Sequence, residues 1–180
     1  MVTDKEQIKT LLESNFKVYG KVTISSKGIV NVKGAVDLTK KVSQLPIQFG
    51  TVSGNFWCNG ASLTTLVGSP TSVGGYFLCE HNKLINLKGA PTYVGSHFWC
   101  TDSPLSSLEG APDHVGEEFW CTYNAHLPLL RLVIYNRVLI SHAPDPVKEI
   151  MDKYVGQDKM GALKAAAELI KAGYKENARW

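Results

Sequence analysis

The four cysteines of this 180-residue chain, at positions 58, 79, 100 and 121, stand 21 residues apart. Thiols could bind metal, form disulfides or act as nucleophiles. Zinc sites use close pairs of the C-x2-C kind, and a gap of 21 residues is not one. Disulfide frameworks belong to oxidising compartments. Each cysteine here closes a tripeptide that recurs with it: Phe56-Trp57-Cys58, Phe77-Leu78-Cys79, Phe98-Trp99-Cys100 and Phe119-Trp120-Cys121. In such a frame a free cysteine serves as a small buried hydrophobe. The expectation is structural thiols, with no metal and no cofactor.

Acid–base chemistry fares no better. His81, His97 and His114 are scattered, and the repeat equivalents of each are different residues. The chain has no Gly-rich phosphate loop, no G-x-S-x-G elbow and no H-E-x-x-H. The one constellation to weigh for catalysis is His97 with Glu118 and Asp102. Binding without turnover is the stronger expectation.

The tripeptides themselves suggest what binds. Side chains alternate along a strand, so Phe and Cys face one side and the residue between them faces the other. With Phe and Cys inward, Trp57, Leu78, Trp99 and Trp120 point outward, on strands about 4.8 Å apart. Each Trp carries about 150–250 Å² of surface, so the ladder rivals the roughly 300–600 Å² of a typical largest apolar patch. One polar border is Asn55, Tyr76, His97 and Glu118. The other is Asn59, Glu80, Thr101 and Thr122, with His81, Asp102 and Tyr123 just beyond. An aromatic centre in a polar rim has the anatomy of a protein interface. The candidate partner-binding residues are Trp57, Leu78, Trp99, Trp120, Tyr76, His97, Glu118, Glu80 and Tyr123. The chain's own termini or a second copy are the alternative covers for the ladder.

The element that positions these residues is a repeat. A fixed period in the twenties signals stacked units. The frame reads Val73-Gly74-Gly75-x-Phe77-x-Cys79-x-x-Asn82-x-Leu84-x-x-Leu87-x-Gly89-Ala90-Pro91, clearest over residues 52–121. Phe-x-Cys makes a short strand, Leu-x-x-Leu crosses the back, and Gly-x-Pro turns the chain toward the next strand. The asparagine slot holds Asn82 and Asn124, but Ala61 and Ser103 elsewhere.

Phe77-x-Cys79-x-x-Asn82-x-Leu84-x-x-Leu87 resembles the leucine-rich-repeat core L-x-L-x-x-N-x-L-x-x-L. The segment from Leu87 to Val94 is similar to the short bacterial leucine-rich repeat. Runs of the form G-A-P-x-x-V-G-x-x-F-x-C also resemble small repeat proteins encoded by tailed bacteriophages. The resemblance covers about residues 30–142. It implies a concave sheet with one strand per turn and, on the phage side, interference with a host or defence factor.

Before the repeat, Thr3-Asp4-Lys5-Glu6 has capping-box form ahead of Ile8, Leu11, Leu12 and Phe16, predicting a helix over 4–15. Residues 17–38 alternate as short strands around Gly20, Gly28 and Gly34, with Val36 and Leu38 as a degenerate first Phe-x-Cys. At the other end, Ile140, Ser141 and His142 fall one period after Phe119, Trp120 and Cys121, which predicts a last strand over 138–142 with His142 in the cysteine slot. Asp145-Pro146 then opens a helix carrying Val147, Ile150, Met151 and Tyr154. A second helix from Asp158 has Met160, Leu163, Ala166, Ala167 and Ile170 on one side. The expected fold is α+β: a leucine-rich-repeat-like β-solenoid with an N-terminal capping helix (1–20), a repeat body (21–142) and a two-helix C-terminal cap (143–180).

Charge narrows the ligand. Net charge is +3, distributed as +4 over residues 1–50 (8 Lys, 4 acids), −4 over 51–128 (2 Lys, 6 acids) and +3 over 129–180 (9 Lys/Arg, 6 acids). An acidic repeat face is a poor match for phosphates, so nucleic acid is not the ligand expected there. No apolar run reaches membrane-spanning length and the N-terminus has no apolar signal region, giving a cytoplasmic expectation without membrane partners. A protein partner is expected first. A glycan or nucleotide-type ligand on the aromatic ladder, or a homo-oligomer, are the alternatives.

Overall fold

The computed structural model describes residues 3–180. Helix α1 (Lys5–Asn15) starts at Asp4, whose side chain accepts from the Gln7 N–H at 2.9 Å. The cap is thus Asp4 and not Thr3. Ile8 and Leu12 are buried in the hydrophobic core. Strands β1 (Phe16–Ile24) and β2 (Val30–Leu38) are two nine-residue strands paired antiparallel over their whole length. They replace the short strands expected over residues 17–38, and the turn at Ser25–Ile29 joins them. Residue 20, the expected end of the N-terminal cap, lies inside β1. Gly20 and Gly34 face each other there, and a Cβ on Gly34 would stand 1.9 Å from the Tyr19 carbonyl oxygen. Only glycines let the two backbones touch.

From β2 onward the sheet is parallel and divides into two ladders. The first half of β2 pairs with β3 (Phe49–Val52), and β5 (Ser72–Val73), β7 (Tyr93–Val94) and β9 (His114–Val115) follow. The second half of β2 pairs with β4 (Phe56–Trp57), followed by β6 (Phe77–Leu78), β8 (Phe98–Trp99), β10 (Phe119–Thr122) and β11 (Val138–Ser141). Each complete turn of this parallel β-solenoid therefore holds two short strands. This corrects the expectation of one. The β3–β5–β7–β9 ladder escapes notice in the sequence because each of its later rungs is a two-residue step with one inward valine.

A glycine corner separates the ladders. A Cβ on Gly95 would lie 2.1 Å from the Gly74 carbonyl oxygen, and one on Gly116 would lie 2.1 Å from that of Gly95. Successive turns meet there backbone to backbone. Inside, each turn contributes Val, Phe, Cys and two leucines; Val73, Phe77, Cys79, Leu84 and Leu87 are fully buried. The Phe rings form a continuous stack, with centroids 5.6 Å (Phe56–Phe77), 5.4 Å (Phe77–Phe98) and 5.0 Å (Phe98–Phe119) apart. Burial contributes about 1.5–3 kcal/mol per large apolar side chain, so the repeat is its own core.

The last turn steps by 19 residues instead of 21. Val138, Leu139 and Ile140 pair with Phe119, Trp120 and Cys121. Ile140 therefore fills the cysteine slot, and His142 is exposed in a turn with φ of 60°. The expected placement of His142 in the core is overturned, because a 3-10 turn at Leu130–Ile134 replaces the longer Gly-x-Pro connection. Helices α2 (Asp145–Tyr154) and α3 (Lys159–Lys171) close this end. Pro144 is the N-cap of α2 and Asp145 its first residue, one position earlier than expected. α3 buries Gly161, Ala162, Ala165 and Leu169, whereas Met160, Leu163 and Ile170 are exposed. The expected inner face of α3 is its outer one.

Candidate binding face

Strand alternation and register together build the face. The register Asp37↔Trp57↔Leu78↔Trp99↔Trp120↔Leu139 places one outward side chain per rung in a single column. Two flanking columns share the same side of the sheet: Asn55, Tyr76, His97, Glu118 and Arg137, and Asn59, Glu80, Thr101, Thr122 and Ser141. Trp57, Leu78, Trp99 and Trp120 are each half-buried by neighbouring rungs. At one end Tyr19 of β1 meets Trp57 edge to face, centroids 6.3 Å apart. At the other, α2 walls a cleft of about 270 Å³ lined by Trp120, Leu139, Met151, Lys148 and Asp152.

Two polar atoms on this face are buried without a partner, the Trp99 indole Nε1 and the His97 Nδ1. The two rings are adjacent, 5.5 Å apart, and His97 also lies 4.9 Å from Tyr76. A buried unpaired donor carries a desolvation cost, which an acceptor brought by a ligand would relieve once the indole turns its nitrogen outward, since that atom is closed to solvent here.

Electrostatics divide the candidate residues. The His97 Nε2 is 3.0 Å from Glu117, an exposed carboxylate absent from the sequence-derived candidates. Glu118 is buried and faces Arg137 at 3.3 Å. Asp102 lies 3.6 Å from His81. His97, Glu118 and Asp102 thus each have a different partner, and the structure does not join them in one site. Burial raises the pKa of Glu80, an effect His81 opposes and Asp102 adds to. Tyr123 turns away from the face: its hydroxyl donates to Asn177 Oδ1 at 3.1 Å in the C-terminal segment. Of the nine candidates, Trp57, Leu78, Trp99, Trp120, Tyr76, His97 and Glu80 share the outward surface, Glu118 lies beneath its rim, and Tyr123 serves the cap.

The thiols lie on the opposite side of the same strands. All four cysteines are free and fully buried, and burial pushes each thiol pKa up, Cys121 to about 12. The Cys79 and Cys100 thiols donate weakly to the carbonyls of Trp99 and Trp120 at 3.3 and 3.4 Å. A thiol so shielded is a poor nucleophile and a poor ligand. Among the described residues no group of three or more His, Cys, Asp or Glu is placed to hold a metal ion. No helix there is long and apolar enough to cross a membrane.

Sequence reasoning missed the outer stripe of α3. Its signal was present, since Met160, Leu163, Ala167 and Ile170 recur at helical spacing beside lysines, but spacing alone does not tell which side is covered. The chain matches no protein-family model, no curated protein and no solved structure.

Proposed function

We propose that this chain is a non-enzymatic binding protein that engages a protein partner through the Trp57–Trp120 face. The observation that carries the reading is the in-register column of large apolar side chains with an unpaired indole donor at its centre, Trp99 Nε1. Interfaces concentrate their energy in such aromatic anchors and surround them with polar rims. Here the rim is mildly acidic, through Glu80, Asp102 and Glu117. The likeness of the repeat to leucine-rich and phage-encoded repeats supports a solenoid scaffold whose partner is a host or defence factor.

The test is affinity capture from cell lysate with wild type and with Trp99→Ala combined with Trp120→Ala. A specific protein retained by wild type and lost by the folded double variant supports the reading; equal capture by both overturns it. A glycan or nucleotide ligand predicts instead a raised melting temperature in a compound panel.

A further inference from the structure

Helix α3 has two apolar faces, and the one with the larger side chains faces water. Met160, Leu163 and Ile170 are 57%, 58% and 54% exposed, with Ala167, also exposed, between them. The spacing i, i+3, i+7, i+10 holds them in one line along the helix. At 3.6 residues per turn, Lys164 and Lys171 run along one edge of that line and Lys159 along the other, all exposed. The acids of this helix point elsewhere. Glu168 accepts from Lys153 and Tyr154 of α2, and Asp158 caps the N-terminus. An exposed apolar stripe between cationic edges calls for an occupant with an apolar centre between acidic edges.

The chain itself carries such a surface. The ten helical rises from Met160 to Ile170 span about 15 Å. The four rungs from Trp57 to Trp120, three spacings, span about 14 Å. Acids flank the Trp column on both sides, Glu80 and Asp102 on one and Glu117 on the other. The bases at its ends are each engaged: Arg137 faces Glu118, Lys148 lies 3.8 Å from Asp145, and Lys17 stands over the Tyr19 ring. Residues 51–128 carry net −4 and residues 129–180 net +3. Pairing α3 with a second α3 would set lysine edges against each other, whereas pairing it with the Trp face sets opposite charges together.

We propose that α3 of one copy docks on the Trp57–Trp120 face of a second copy, in a head-to-tail contact. This rests on the reading of the Trp face as a binding surface and names its occupant. Two different surfaces meet, so the contact is heterologous: each copy keeps one free face, and assembly continues until a ring closes or a filament grows. A foreign partner of the Trp face has to displace α3, so self-association competes with partner capture.

The experiment uses three proteins in sedimentation velocity: wild type, the face variant Trp99→Ala/Trp120→Ala, and the helix variant Leu163→Glu/Ile170→Glu. Glu80→Lys/Asp102→Lys substitutes for the face variant if removal of two Trp unfolds the chain. Wild type is expected to increase in average mass with concentration up to about 1 mM, a range that populates even an interface below about 1,200 Å², and to pass beyond the dimer or close as a ring. Each variant alone is expected to be monomeric. Mixed, they are expected to form a 1:1 heterodimer and stop, since only one working contact remains between them.

A monomeric wild type, or a mixture no heavier than its components, overturns the proposal. So does assembly that survives in the face variant, which would indicate α3 against α3. Binding of wild type to phosphatidylserine vesicles, lost in the helix variant and without self-association in solution, would assign the stripe to a lipid surface and also overturn it. The helix variant keeps its Trp face. If self-association fails while this variant still captures a protein that the face variant loses, the reading of the Trp face stands without the docking proposal.

Discussion

Trp99 and Trp120 meet edge to face at 5.3 Å, yet only one of the two indoles is satisfied: Trp120 Nε1 donates to Ser141 Oγ at 2.6 Å, while Trp99 Nε1 has no partner. The two rungs are equivalent in the repeat and unequal in energy. Stability and binding should therefore separate between them.

Trp99→Phe removes an unpaired buried donor and keeps an aromatic ring on the column. Its stability is expected within about 1 kcal/mol of wild type, because relief of the desolvation cost offsets lost packing. Trp120→Phe forfeits a hydrogen bond and strands Ser141, costing about 1–2 kcal/mol. Urea unfolding of both variants gives the comparison. A greater loss from Trp99→Phe would mean that its indole nitrogen is not the liability described. In binding the order reverses if the Trp99 indole turns outward and the partner supplies its acceptor.

The four thiols predict an alkaline weakness. Their folded pKa values are raised by burial above the ordinary 9.0. The native state therefore holds their protons longer than the unfolded chain does. That stabilisation is complete below pH 9.0 and is lost as pH rises above it, at about 1.4 kcal/mol per thiol per pH unit. Urea midpoints should be level up to pH 8.5 and fall steeply from pH 9.5. Cys79→Val with Cys100→Val should roughly halve the slope. Native protein should also be inert to a thiol reagent at pH 7.5 and react fully once unfolded.

Asn82 acts as a rivet between turns. Its Oδ1 accepts from Leu63 N–H at 2.9 Å, and its Nδ2 donates to the carbonyls of Cys58 and Cys79, both at 2.9 Å. Asn82→Ala leaves buried backbone groups without partners and is expected to cost about 2–4 kcal/mol. One turn later Ser103 fills the same slot, and its buried hydroxyl has no partner. Ser103→Asn extends the rivet and should gain about 1 kcal/mol. A loss in thermal melting would mean that the turn following β8 is too tight for the amide.

His81 and Asp102 occupy a left-handed position, with φ of 52° and 54°, where the preceding turn has Gly60 at 66°. For residues other than glycine this conformation costs about 1–2 kcal/mol. Asp102→Gly is expected to raise stability by about 0.5–1 kcal/mol. The same change deletes an acid from the rim of the Trp face, so capture of a basic partner should weaken as the melting temperature rises. Parallel improvement in both would remove Asp102 from the binding surface.

What was legible in the chain is what repeats. The pairings Phe56↔Phe77, Phe77↔Phe98 and Phe98↔Phe119 follow from a shared phase, because a parallel stack puts like residues opposite one another. The phase fails where the repeat does. Val138 replaces Ile140 opposite Phe119 because the last connection is two residues shorter, and no local signal marks the loss. The β1–β2 hairpin is set by long antiparallel pairing, which the glycine spacing disguised as several short strands. On α3 both faces have helical apolar spacing. Small residues, Ala162 and Ala165, hold the inner side where α3 packs on α2 and on the 3-10 turn at Leu130–Ile134, so the larger Leu163 and Ile170 were left outside. The Trp column was readable from alternation, but the unpaired Trp99 nitrogen was not, since it depends on which neighbours the register brings near.

The C-terminal segment seals the last turn, and the seal centres on one residue. Asn177 is 1% exposed. Its Nδ2 donates to the carbonyls of Asn124 and Leu127 at 3.1 and 2.8 Å, and its own carbonyl accepts from Leu129 N–H at 3.0 Å. Its Oδ1 receives the Tyr123 hydroxyl. Asn124 occupies the repeat's asparagine slot but does not bridge inward as Asn82 does; its side chain accepts from His126 N–H instead. A residue from the far end of the chain thus satisfies the last turn, which has no following turn to do so. Asn177→Ala is expected to cost about 1–3 kcal/mol. Removal of residues 174–180 should cost more, since it also exposes the ends of Leu129 and Leu130. Trp180→Ala is the control: at 56% exposure it should stay within about 0.5 kcal/mol of wild type. If the truncated chain melts with wild type, the last turn is held by α2 and α3 alone, and Asn177 is a passenger of the fold.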